Sequence, residues 1–276
     1  MIDRTIHEIF KRGSKTYFYS SLFFPPDVKA RVFSLYSFVR TADDLVDSVP
    51  QRGDEFRAFI QRYRAALRGT PAGDPVIDGF VSLQQEFGID QAWVDAFLHS
   101  MELDLSVHRY RTLEDLRVYL YGSAEVIGLM MARLLGLSPR SYPAACHLGR
   151  GMQYINFIRD IAEDQMLGRL YMPEEELERF GLDSLEPEYL RQHPAAFSAF
   201  IRAQCTRYRR WQALGEGGYR FIPWRMRLPI ITASDMYAWT ARRIERDPFV
   251  IFAHKVRPSV PRLVLRFAAN TVRTTP

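Results

Sequence analysis

Apolar positions recur at three- and four-residue intervals along most of the chain. Alternating β-branched runs closed by Asn-Gly or Asp-Gly turns are missing, so the pattern predicts helices and few or no strands. Pro25-Pro26-Asp27 opens a helix that runs to about Ser48, where Pro50 stops it. Gly53-Asp54 opens another, which ends near Arg68-Gly69. Further helices are predicted over 75–87, 90–106, 112–137 (with a break near Gly122), 141–166, 187–213, 229–246 and 248–269. The connections are short and carry no linker, low-complexity stretch or repeat. One all-α domain over residues 1–276 is therefore expected.

Two of these helices carry polar stripes of unusual chemistry. In Tyr36-Ser-Phe-Val-Arg40-Thr-Ala-Asp43-Asp44-Leu-Val-Asp47, an advance of about 100° per residue places Tyr36, Arg40, Asp43 and Asp47 within an arc of about 60°. Asp43 and Asp47 stand one turn apart, where like charges oppose the helix unless a cation sits between them. Alone, such a stripe reads more simply as a solvated acidic face with Arg40 as its partner. The second stripe changes that reading. Gln153, Asn156, Asp160 and Asp164 share an arc of about 80° on a helix whose other sides carry Ile155, Ile158, Ile161 and Ala162. A narrow polar stripe on an apolar helix points inward, toward a cavity. Two helices offering paired carboxylates make an oxygen-rich site suited to a hard cation such as Mg²⁺, which is commonly held beside substrate phosphates. Zinc is disfavoured, because no HExxH or Cys/His cluster is present.

Composition bounds the rest. At 276 residues, 47% hydrophobic and 25% charged, the chain is neither disordered nor a disulfide scaffold. Cys146 and Cys205 are isolated and no signal peptide opens the sequence, which leads us to expect a cytoplasmic protein. No apolar run reaches the roughly 18 residues of a membrane span. The formal net charge is +5, and all but four of the 37 basic residues are arginine, the better fork for phosphate. Nucleic-acid binding would need a clustered basic face, whereas the arginines alternate with acids. The run Arg257–Arg273 admits two readings: a helix resting on an anionic bilayer, or one packed on its own domain. Gly215-Glu-Gly-Gly218 follows a helix and reads as a turn rather than a dinucleotide fingerprint. The six histidines show no ligand spacing.

Taken together, the motifs Asp43-Asp44-Leu-Val-Asp47 and Asn156-Phe-Ile-Arg-Asp160-Ile-Ala-Glu-Asp164 resemble those of the squalene/phytoene synthase family of head-to-head prenyl transferases. Ser14-Lys-Thr16-Tyr17-Phe18, Tyr121-Gly-Ser-Ala-Glu-Val-Ile-Gly128 and Gly168-Arg169-Leu-Tyr171-Met-Pro173 support the likeness, which runs from about Ser14 to Arg257. It implies an all-α bundle with a central cavity, the isoprenoid synthase fold. It further implies that Asp43, Asp47, Asp160 and Asp164, helped by Asn156, hold about three Mg²⁺ ions bridging two prenyl diphosphates. By the same resemblance Gln153 lines the cavity, and Ser14, Thr16, Arg40, Arg159, Lys255 and Arg257 touch diphosphate oxygens. Tyr36, Tyr121 and Tyr237 lie near the reacting allyl groups. Two departures stand out: Thr16 replaces the more usual Ser, and Glu125 stands where a small residue is expected, putting a carboxylate of open role near the cavity.

The implied reaction condenses two prenyl diphosphates through a cyclopropylcarbinyl diphosphate. Gly168-Arg-Leu-Tyr-Met-Pro-Glu-Glu-Glu-Leu177 looks like the phytoene branch, which joins two geranylgeranyl diphosphates in carotenoid biosynthesis. Squalene or dehydrosqualene from farnesyl diphosphate is the alternative, with NADPH needed only for squalene. Two other classes stand beside it: a non-catalytic relative acting in assembly or interaction, and an unrelated helical metal phosphohydrolase. Long prenyl substrates and a membrane-bound product make peripheral contact with membrane lipid part of the expectation. Monomer and homodimer both remain open.

Overall fold

In the computed structural model the described residues are 2–13 and 15–274, apart from the side chains of Lys15, Thr16, Arg273 and Thr274. The helices are α1 (Arg4–Gly13), α2 (Lys15–Ser21), α3 (Pro26–Asp47), α4 (Gly53–Leu67), α5 (Pro75–Phe87), α6 (Gln91–Leu103), α7 (Leu113–Leu120) and α8 (Val126–Leu134). They continue as α9 (Tyr142–Arg159), α10 (Ile161–Met166), α11 (Glu174–Arg179), α12 (Pro187–Gln192), α13 (Pro194–Glu216), α14 (Trp224–Arg246), α15 (Val250–Ala253) and α16 (Val260–Thr274). Among the described residues there is no strand, only an isolated bridge between Arg109 and Leu170. The all-α expectation holds.

Local signals account for many of the boundaries. Proline occupies the first turn of α3 and α5, where its missing N–H costs no hydrogen bond. Asp74 and Asp90 cap α5 and α6 by accepting from Val76 N and Ala92 N, each at 2.9 Å. Thr112 and Asp115 form a reciprocal capping box at the start of α7.

Several predicted helices are divided. The 187–213 segment breaks at His193, because Pro194 drives the residue before it out of the helical region. The 248–269 segment becomes α15 and α16, separated by an extended stretch that contains Pro258. The 141–166 helix is interrupted at Asp160, whose backbone relaxes to φ −99°, ψ 12°. Within 112–137 the break near Gly122 is a single π turn over Tyr121–Glu125. Gly122 is required there, since a Cβ would lie 2.2 Å from the Ala96 carbonyl oxygen. The helices α1, α2 and α11 were not anticipated.

Two apolar cores hold the bundle. One gathers Phe33, Phe38, Tyr63 and Phe80 around α1 and α3–α6, with part of α8. The other gathers Ile155, Ile158, Phe197 and Tyr208 around α9, α13 and α14. Members of both face a common cavity: Phe10, Val32, Leu35 and Met101 from the first, Met152, Phe157, Ala233 and Tyr237 from the second.

Candidate active site

The cavity has a volume of about 680 Å³, and both polar stripes line it. Helix α3 contributes Tyr36, Arg40, Asp43 and Asp47, and α9 contributes Gln153, Asn156 and Arg159. Asp160 at the α9–α10 junction, Glu163 and Asp164 on α10, Tyr237 on α14, and Lys255 and Arg257 after α15 add further polar and charged lining. Phe24, Ile127, Met131, Leu135 and Leu148 supply apolar wall.

Most of the carboxylates are met by a cation of the same chain. Arg40 donates to Asp43 at 2.6 Å and pairs with Asp44 at 2.5 Å. Arg159 grips both oxygens of Asp160, at 2.8 and 2.5 Å. Lys255 lies 3.3 Å from Asp160 Oδ1 and also pairs with Glu163. These pairs do not remove the repulsion between the acids. Burial and the neighbouring Asp47 charge push Asp43 up to about 8, despite Arg40. Burial, Asp160 and then Asp47 hold Asp164 well above the usual carboxylate range. Asp47 belongs to α3 and Asp164 to α10, so the two stripes act on each other across the cavity.

Behind Asp47 lies a network that the sequence reading missed. Arg169, only 4% exposed, donates to Asp47 Oδ1 at 2.5 Å and to the Val46 and Asp104 carbonyls at 2.8 and 3.2 Å. The Asp104 carboxylate accepts from Tyr119 at 2.7 Å and from Tyr171 at 2.8 Å. Burial pushes Asp104 up to about 6 despite Arg169 and the two phenols. Asp104, Tyr119, Arg169 and Tyr171 all line the cavity. The signal available in sequence was Arg169 and Tyr171 in the Gly168–Pro173 segment; Asp104 had none.

Tyr36 stacks on Phe10 with centroids 3.9 Å apart, and Tyr237 hydrogen-bonds with Tyr17 and Asn156. Burial pushes both phenols upward, which keeps them neutral. Asn156 Oδ1 is buried and finds no hydrogen-bond partner among the described residues, leaving an acceptor turned to the cavity lining. Among the described residues no three carboxylates converge closely enough to enclose a cation unaided. The donors that line the cavity here, Asp43, Asp47, Asp160, Asp164 and Asn156 Oδ1, are all oxygens, the donor type that a hard cation such as Mg²⁺ takes.

Some expectations change. Tyr121 does not line the cavity: it sits on the π turn with 43% exposure, while Tyr119, two residues earlier, takes the inward place. Glu125 is buried away from the cavity lining, and Arg150 donates to it at 2.6 Å, so the unexpected carboxylate is neutralised within the packing. Gly215 is no simple turn residue. It ends α13 against α9, where a Cβ would lie 2.8 Å from Leu148 Cα. Ser14 and the Thr16 side chain lie outside the described residues.

The squalene/phytoene synthase family model matches residues 10–264. The chain belongs to that family. This places it among prenyltransferases of the phytoene/squalene synthase type. It is 26% identical to phytoene synthase 2 of Solanum lycopersicum, covering 94% of this chain and 86% of that protein. It is 28% identical to 15-cis-phytoene synthase of Synechocystis sp., covering 91% of this chain and 79% of that protein. The chain spans 60% of the length of phytoene synthase 3 of Zea mays, at 27% identity. Solved structures share the family's fold. A dehydrosqualene synthase in complex with ligand superposes with TM-score 0.86 at 22% identity, covering 97% of this chain and 94% of that one. Squalene synthase HpnC from Alicyclobacillus acidocaldarius gives 0.79 at 22% identity, covering 88% and 93%.

Proposed function

We propose that the chain condenses two prenyl diphosphates head to head through a cyclopropylcarbinyl diphosphate, in the first instance two geranylgeranyl diphosphates to phytoene. The observation that carries this reading is the pair of acid stripes facing one apolar-walled cavity. Asp43, Asp47, Asp160 and Asp164, with Asn156 Oδ1, would hold Mg²⁺. Once bound, the metal supplies Lewis-acid charge at the diphosphate. Arg40, Arg159 and Lys255 would turn from the carboxylates to diphosphate oxygens as these enter, joined by Arg257 from the cavity lining, with Ser14 and Thr16 adding hydroxyl donors. The apolar wall keeps water from the allylic cation, and the neutral faces of Tyr36 and Tyr237 stabilise its charge. Gln153 helps to shape the cavity beside Asn156. The lipophilic chains make contact with a membrane surface part of this reading.

Incubation with geranylgeranyl or farnesyl diphosphate, with and without NADPH, tests it by product mass. Phytoene from the longer substrate is the expected result. Dehydrosqualene or NADPH-dependent squalene from farnesyl diphosphate would move the assignment to the shorter-chain branch. Release of prenols without carbon–carbon coupling would overturn the reading.

A pH dependence arises from the raised carboxyls. Asp43 and Asp104, at about 8 and about 6, keep protons in the fold that the unfolded chain gives up nearer 4. The folded state then binds more protons than the unfolded one, so their contribution to stability is lost as pH rises from about 4 to about 8. Thermal unfolding in EDTA should show this fall, and Asp43→Asn should flatten its upper part. Mg²⁺ held at Asp43 must displace the proton there, so its stabilising effect should grow as pH rises toward about 8. An EDTA profile unchanged by Asp43→Asn would count against the protonated carboxyl.

A further inference from the structure

Five glycines line the cavity among the described residues: Gly13, Gly128, Gly149, Gly215 and Gly218. The last four set how closely the helices approach. A Cβ on Gly128 would lie 2.4 Å from the Ala145 carbonyl oxygen, and one on Gly149 would lie 2.5 Å from that of Ala124. Gly215 and Gly218 would likewise strike Leu148 Cα at 2.8 Å and Ala144 Cβ at 2.5 Å. Such atoms cannot turn aside. Gly13 is different. Its three nearest contacts would all be side-chain atoms of the site: Tyr36 Oη at 2.6 Å, Arg40 Cγ at 2.9 Å and Arg40 Cδ at 3.0 Å. Gly13 has no positive φ, so space rather than backbone conformation requires a glycine there.

Neither neighbour can yield freely. Gly13 ends α1, and Phe10 stands one turn earlier on the same face. Phe10 is buried, packs edge-on against Phe18 and Phe33, and stacks on the Tyr36 ring. Helix α1 therefore holds Tyr36 twice, at its ring by Phe10 and at its hydroxyl by the end of the helix. Arg40 is held at its far end by Asp43 and Asp44, at 2.6 and 2.5 Å. Shifting Cγ and Cδ would drag the guanidinium off those carboxylates. Arg40 Nε is buried and finds no hydrogen-bond partner among the described residues, so close packing fixes this part of the side chain.

We infer that Gly13 is a positioning residue: having no side chain, it lets the end of α1 close on Tyr36 and Arg40 and fixes where the phenol and the guanidinium stand in the cavity. A methyl group at this position would drive the Tyr36 hydroxyl most of an ångström, from 2.6 Å to ordinary contact near 3.4 Å. Misplacement on that scale costs about a hundredfold in rate. The inference rests on the roles proposed above for Tyr36 and Arg40.

Gly13→Ala tests it. Alanine is the better helix former, so helical circular dichroism should be retained. Formation of coupled product should fall by about tenfold to a hundredfold. In a Tyr36→Phe background, which lacks the atom closest to Gly13, the same substitution should cost about threefold less or better. Gly79→Ala also faces α3, but its Cβ would meet Ser34 Oγ at an ordinary 3.4 Å, and turnover should stay within about twofold of the parent. A crystal structure of Gly13→Ala supplies a readout independent of turnover. Tyr36 Oη and the Arg40 stem should be displaced while α1 and α3 keep their places. Movement of α1 away from an unchanged Tyr36 and Arg40 would overturn the inference. So would an equal loss in both backgrounds, or turnover of Gly13→Ala within about twofold of the parent. If the parent forms no coupled product, the functional reading falls, and the crystal structure still decides the role of Gly13.

Discussion

Asp47→Asn and Asp160→Asn are each expected to lower diphosphate release from a prenyl diphosphate by about a thousandfold, with helical circular dichroism intact. The two acids come from opposite walls of one cavity, Asp47 on α3 and Asp160 at the α9–α10 junction. An amide keeps each side chain's shape and can still accept from Arg169 or Arg159. What it removes is the negative charge that would hold a divalent cation against a departing diphosphate. The loss therefore falls on the chemical step rather than on folding. Turnover of either variant within about tenfold of the parent, against the roughly thousandfold scale of such electrostatic losses, would mean that these carboxylates do not carry the reaction.

Arg169→Met should be costly in a different way. The guanidinium is buried, binds Asp47 and two backbone carbonyls, and stands beside the Asp104 carboxylate. Methionine fills much of the volume but takes the charged donor from the buried Val46 and Asp104 carbonyls, and losing such a hydrogen bond costs about 1.5–3 kcal/mol each. Both stability and turnover should fall, because Asp47 loses the group that holds its orientation. Added Mg²⁺ should recover part of the lost stability by restoring positive charge beside Asp47. Thermal unfolding with and without the metal measures this, with Arg57→Met as an exposed comparison. A loss no greater than that of Arg57→Met would show that the network does not hold the site together.

The two acid stripes were legible because helical periodicity alone decides which side chains share a face. Tyr36, Arg40, Asp43 and Asp47 needed only a continuous helix, as did Gln153 and Asn156. Helix division was less legible. His193 yields to the proline after it, which could have been read, but the relaxation at Asp160 coincides with contacts from Arg159 and the distant Lys255. The resemblance rather than helical period supplies Tyr121, and no local pattern shows that it lies on a π turn, 43% exposed, while Tyr119 takes the place in the cavity lining.

Helical class, the family motifs and the choice of oxygen-bearing side chains all depend on neighbours within a few residues, so they could be read from the chain alone. The partners of those side chains emerged only with the three-dimensional packing. Asp104 accepts from Tyr119 and Tyr171, respectively 15 and 67 residues away, and became a buried carboxylate only when those segments converged. Glu125 was neutralised by Arg150 for the same reason. Charge placement can be read along a helix, but burial and pairing depend on which distant surfaces exclude water together.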